Sequence, residues 1–322
     1  MPPDLATDGQ ASIRPASLEI PAPAALLGTA TGMELTRQFL RAKNPCSNGF
    51  RWFSRNLPDG SGYQQALDTL VQAGRVDDAC WLLTQFGPTQ EVLTVDTLDA
   101  DAIVFAGTLQ VRGSIDADAV IHTGGSIRAG GGLRAGGAIT VGGDIRVEGS
   151  IRAGAALQAG GDVRAQWGIE AGGDITCAGD LRAGWDALCG GRLQLQGGGF
   201  VGQDLIAQGA VECGKGLRVG GHLTGGESLR AGQGILVGGT ISGVVHLEAG
   251  WGIKAGESIH ALGAIKAGET LSAGQDICAG AGYGVFAGLN VQEASWNASG
   301  QVWSPACPEG LRSGLWVGPN PI

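Results

Sequence analysis

Aliphatic side chains recur at every sixth residue from Ile103 to Leu289. Of the 32 positions in this row, 29 are Ile, Leu or Val; the exceptions are Ala187, Gly199 and Tyr283. A second, small apolar residue follows two positions later, as in Ala129, Ala135, Val141, Val147, Ala153 and Cys177. The next position is Gly in 20 of the 32 units. Alternate residues of a strand share a face, so the large and the small residue point inward together and the one between them points out. Gly after the small residue supplies the freedom for a bend, because it reaches positive φ without a Cβ clash. Three strand-and-bend units close a triangle, and such coils of about 18 residues stack at about 4.8 Å. The row therefore predicts a mainly β fold, a single-stranded three-sided parallel β-helix (solenoid) on the order of 50 Å long.

Other readings of the same stretch fail. A helix would lose about 1 kcal/mol at each interior glycine, and the chain has 60 of them. Collagen needs Gly at every third residue, which is absent. Disorder does not fit so regular an aliphatic row.

The stretch Gly143-Asp144-Ile145-Arg146-Val147-Glu148-Gly149-Ser150-Ile151 resembles the bactofilins and related hexad-built β-helices. The resemblance extends along the whole hexad row, is one of repeat type and brings no catalytic motif. It implies a structural protein whose solenoid ends join into filaments. Hexapeptide acyltransferases use the opposite order, with the small residue first and the large one directly before the Gly. The swap argues against their left-handed winding, and a right-handed winding is favoured.

The flanks organise differently. Residues 1–32, rich in Pro and Ala, read as a flexible arm. Residues 33–90 read as a small helical domain, with helices over Glu34–Lys43, Tyr63–Gln72 and Val76–Phe86 and a turn-rich segment from Asn44 to Gly62. Gly74 and Gly87-Pro88 supply the helix stops. Leu67, Leu70, Val71, Ala79, Cys80, Leu82 and Leu83 form one apolar seam at helical spacing. So small a unit is expected to lean on the first coil. The solenoid is assigned to 91–292. Residues 293–322, with Trp296, Trp303, Trp316 and several prolines, read as a C-terminal cap. Bare solenoid ends invite end-to-end association. Two covered ends therefore predict a monomer or small oligomer rather than a filament.

Charge and cysteine usage narrow the partners. A formal net charge of -9 disfavours nucleic acid and anionic membrane. No run of apolar residues is long enough to cross a bilayer, and the stretch from Met1 to Pro23 lacks the basic and apolar regions of a secretory signal. The seven cysteines show no CxxC spacing. Cys177, Cys189 and Cys213 take the small inward slot, whereas Cys46, Cys278 and Cys307 are candidates for the surface. This usage predicts a reducing, cytoplasmic setting.

With three hexads to a coil, outward positions stack in columns. One reads Gln110, Arg128, Arg146, Arg164, Arg182, Phe200, Arg218, Leu236, Lys254. It is either a docking stripe for an acidic partner or phosphates, or a row compensated by Asp144, Asp162 and Asp180 two residues before three of its arginines. Trp167 and Trp185 would stack at a corner, as a binding step or packed beneath the arm or the helical domain; Trp251 takes the same slot on another corner. Leu188, Phe200 and Ile206 make an apolar outer patch beside Trp185, unless the breaks at Ala187 and Gly199 mark a slipped register or an inserted loop. Asp186, Asp204, His222 and Thr240 form a further column. The pair Asp204–His222 is a candidate acid–base couple or half of a metal site, or else a surface hydrogen-bond ladder.

Gly209 to Lys215 spells GxxxxGK, but Gly216 stands where a phosphate loop needs Ser or Thr, and the hexads run through it. No GxSxG, HExxH or paired Cys-His spacing occurs. No cofactor is expected. These features favour a non-enzymatic, protein-binding solenoid, such as an inhibitor or immunity protein that neutralises a bacterial toxin. The alternatives are a bactofilin-like polymer and, behind it, a β-helix enzyme.

Overall fold

The computed structural model describes residues 33–320; the arm expected over 1–32 lies outside the described residues. The body is a parallel β-solenoid with three sheets of 13, 11 and 12 strands. We call the sheet containing Ile145–Val147 the first face, that of Ile151–Ala153 the second and that of Leu157–Ala159 the third. Ile127, Ile145 and Val163 pair directly in register on successive coils, and none has any exposed surface. Burial of each such side chain contributes about 1.5–3 kcal/mol, which offsets the ordering entropy of a glycine-rich chain.

The corner glycines serve a different purpose from the one expected. Between Ile103 and Ile277, positive φ is confined to Gly243, at 73°. The other corners in this span bend without positive φ. What excludes a side chain is the coil below: a Cβ on Gly154 would collide with the Gly136 carbonyl oxygen, and one on Gly136 with that of Asp118. At these two glycines the coil below leaves no room for a Cβ unless the backbone shifts, whereas equivalent corners carry Glu148, Gln166 and Gln208.

The break at Gly199 is also a packing device. The register Leu181–Gly199–Leu217 is uninterrupted, so there is neither slip nor inserted loop. Leu195 fills an inward slot that holds the smaller Cys177 and Cys213 on the neighbouring coils. A Cβ on Gly199 would lie 3.2 Å from Leu195 Cδ1 and 2.7 Å from Leu217 Cδ1, so the two leucines occupy the space that Gly199 vacates.

The inner row ends at Ile277 rather than Leu289. The next third-face rung pairs Ile265 with Val285, leaving Tyr283 and Leu289 half exposed. Two extra residues separate the hexad position from the inward one. A short helical insert, Glu293–Ser299, follows. The expected cap then continues the sheets, with Gln301–Trp303 and Leu315–Gly318 on the first face and Leu311–Ser313 on the third.

Among the described residues four helices precede the solenoid: α1 (Arg37–Ala42), α2 (Ser47–Asn56), α3 (Tyr63–Gln72) and α4 (Val76–Phe86). Helix α2 replaces the expected turn-rich segment. Cys46 caps it, its Sγ accepting the Gly49 N–H at 3.1 Å, and Phe53 and Leu57 are buried. The Gly49 that suggested a turn is a packing position, since a Cβ there would reach Asp78 of α4 at 3.1 Å. The helical core includes Val104 and Ala106, so this domain rests on the first third-face strand, Ile103–Phe105, as its small size requires. Among the described residues no helix is long and apolar enough to cross a membrane.

Candidate interaction surface

The basic column forms as its spacing predicts. Gln110, Arg128, Arg146, Arg164, Arg182, Phe200, Arg218, Leu236 and Lys254 are successive register partners along the first face. Charge compensation covers part of it. Arg146 pairs with Asp144, and Arg182 with Asp180, each at 3.4 Å. Exposed pairs of this kind contribute about 0–1 kcal/mol. Among the described residues Arg128 and Arg164 form no ion pair.

The aspartates have a second role. Asp144 Oδ1 accepts the Asp162 N–H at 3.0 Å, Asp162 Oδ1 the Asp180 N–H at 2.9 Å, and Asp180 Oδ1 the Gly198 N–H at 2.9 Å. Each carboxylate thus satisfies a corner amide that the sheet leaves unpaired. The bond from Gly198, helped by Lys215 and Arg182, holds the Asp180 carboxyl below its usual range.

Trp167 and Trp185 stack on adjacent coils at the corner between the first and second faces. Their ring centroids are 6.1 Å apart and their planes 16° from parallel. The residues remain 57% and 61% exposed, so neither is packed beneath the helical domain. Phe200 lies on the first face, with the Arg182 guanidinium 4.9 Å from its ring centroid. Leu188 and Ile206 are register partners on the second face. The expected apolar patch is therefore divided between two faces that meet at the tryptophan corner.

Asp204 and His222 do not form a carboxylate–imidazole couple. Asp204 Oδ1 accepts the His222 backbone N–H at 2.6 Å, and His222 Nδ1 accepts that of Thr240 at 3.1 Å. Asp186 serves the Asp204 amide likewise, at 3.0 Å. This is the corner-amide ladder again, with imidazole replacing carboxylate. The carboxylate near the ring is Glu257, 3.9 Å away, which also accepts the Thr240 hydroxyl at 2.7 Å. Among the described residues no group of three or more His, Cys, Asp or Glu side chains is placed to hold a metal ion.

One feature has no counterpart among the sequence-based expectations. A shallow groove of about 520 Å³ runs along the first face beyond Phe200, with Leu236 on its floor and Trp251 at its corner. Lys215, Gln233 and Trp251 rise beside it as a corner column, linked by backbone bonds of 3.3 and 3.4 Å. The coil-to-coil spacing places these three together, but their dissimilar side chains give the column no visible pattern.

No curated protein and no solved structure matches the chain. Residues 33–86, which comprise the four helices, are similar to the family described as the YdhT N-terminal domain. The molecule thus joins a helical unit resembling that domain to a parallel β-solenoid.

Proposed function

We propose that the protein is a non-enzymatic binding scaffold, whose rigid solenoid presents the tryptophan corner and the adjoining first face to a protein partner. The observation that carries this reading is the Trp167–Trp185 stack, held open to solvent on a backbone fixed by coil-to-coil hydrogen bonds. Exposed, preorganised aromatics are the usual energetic centres of protein interfaces. In the Asp204–His222 ladder Asp204 Oδ1 and His222 Nδ1 each accept a backbone amide, which supports a role without catalysis. The seven unpaired thiols suit a reducing cytoplasm. Neutralising a toxin is one role that such a scaffold can fill. Affinity capture from the native host, comparing the intact chain with Trp185→Ala and Phe200→Ala, tests the scaffold role. A protein retained by the intact chain and lost from both variants is expected; identical captures from all three would refute it.

A second reading, filament formation, draws on one specific observation. Among the described residues the strands Val92–Val95 and Leu315–Gly318 are the two edges of the same first-face sheet. Val92, Leu93, Leu315, Trp316 and Val317 are all exposed there. Open, apolar strand edges are templates for further strands. Electron microscopy of the purified chain separates the two readings: filaments abolished by Trp316→Glu would favour the polymer, and discrete particles the scaffold.

A further inference from the structure

We infer that the first-face groove beyond Phe200 receives an acidic amphipathic α-helix of a protein partner; the inference rests on the scaffold reading and gives its partner a chemical form. The groove carries three apolar side chains, Phe200, Leu236 and Trp251, exposed by 41%, 39% and 52%. It also carries three cations, Lys215, Arg218 and Lys254. The one carboxylate lining it, Asp180, is taken up by the Gly198 amide, Arg182 and Lys215. Among the described residues Arg218 and Lys254 have no ion-pair partner. In a chain of net charge -9 this groove is a local inversion of sign, and it selects an occupant that is negative as well as apolar.

The order of side chains narrows the occupant further. Phe200, Arg218, Leu236 and Lys254 are successive rungs of one column, so apolar and basic groups alternate. Rungs are spaced at about 4.8 Å. A helix lying along the column advances about 5.4 Å per turn, so over three steps it drifts by roughly 2 Å. An extended peptide places same-side residues about 6.6 Å apart and drifts by roughly 5 Å over the same distance. The helix keeps pace with the rungs and the strand does not. Its contacting stripe carries apolar and acidic residues in alternation at one-turn intervals, apolar over Phe200 and Leu236 and acidic over Arg218 and Lys254.

Fluorescence anisotropy on the full chain tests this, using a labelled stapled helix that bears Leu, Glu, Leu, Glu at one-turn intervals on one face. Saturable binding is expected, weakening with salt and falling by about tenfold or more in Leu236→Glu and in Lys254→Glu. Both side chains point outward, so circular dichroism should be unchanged; if Leu236→Glu fails to fold, Lys254→Glu and Arg218→Glu decide. The proposal is overturned by an absence of saturable binding at millimolar peptide, or by binding that both variants leave unchanged. Equal binding of a Lys-for-Glu helix or a proline-interrupted peptide of the same composition overturns it too, as does tighter binding of oligothymidylate. Should the peptide fail while Trp185→Ala still releases a captured protein, the groove assignment falls and the scaffold reading stands.

Discussion

The Gln64 side chain stands in for a missing strand beside Val104. Its Nε2 donates to the Val104 carbonyl at 3.1 Å, while its Oε1 accepts the Ala106 N–H at 2.9 Å. Among the described residues Ile103–Phe105 is the outermost strand of the third face, so no strand there pairs these edge groups. One amide from α3 therefore both closes the sheet edge and fastens the helical domain to the solenoid. Gln64→Ala should cost on the order of 1–3 kcal/mol, because it leaves partly buried backbone groups unsatisfied. Chemical denaturation measures the loss, and hydrogen exchange should show the Ala106 amide exchanging faster.

Close coil-to-coil approach at the corners predicts a graded series. Gly154→Ala drives a methyl into the Gly136 carbonyl and should destabilise by about 1–3 kcal/mol, in the manner of overpacking. At Gly168 the nearest atom to an added Cβ is the Asp186 carbonyl oxygen, at 3.3 Å. Gly168→Ala should therefore cost clearly less than Gly154→Ala. Thermal melts of the two variants give the comparison, and equal losses would mean that contact distance is not what keeps glycine at Gly154.

Burial lowers the pKa of His122 from its ordinary 6.5. The unfolded chain then binds the proton more readily, so stability rises with pH across the interval between the two values. The contribution is complete above the unfolded value of 6.5 and is lost as pH falls through it toward the folded one. Denaturation midpoints taken from neutral pH downward should show this slope, and His122→Gln should flatten it.

Thiol reactivity should sort by position in the coil. Burial pushes the Cys213 thiol up to about 12 and raises those of Cys177 and Cys189. Reaction requires the thiolate, so these three should be labelled only on unfolding. Cys46, Cys278 and Cys307 are exposed and should react in the native chain. Native labelling of Cys213 at the rate of Cys278 would contradict the inward placement.

Much of this architecture was readable in advance because a solenoid repeats one physical requirement. Every coil must bury a branched side chain at the same place, so Ile127, Ile145 and Val163 declare the period. The period in turn aligns Arg128 with Arg146 and Trp167 with Trp185. Periodicity, however, fixes neighbours and not where their side-chain atoms go. It placed Asp204 beside His222, but not the Asp204 carboxylate on the His222 backbone amide. It put Phe200 near Leu188 in sequence, while a corner sends them to different faces. Tyr283 keeps the count of six by coincidence, two residues from the inward position that Val285 fills. Helix α2 was hidden because Asn44, Pro45, Asn48 and Gly49 are turn formers by composition, and the packing of Gly49 against Asp78 and the Cys46 sulfur explains its glycine.

The pairing of Ile151 with Ile169 has a consequence for how such a chain can change. Removing residues 151–168 joins Ser150 to Ile169 at an equivalent corner. It should yield a folded particle shorter by about 4.8 Å, as small-angle scattering would register. Removing only 151–156 should also preserve the aliphatic interior, but it rotates every later outward residue by one side of the prism, parting Arg182 from Arg146. Length and azimuth are thus separate degrees of freedom: whole turns trim the first, and single hexads reset the second.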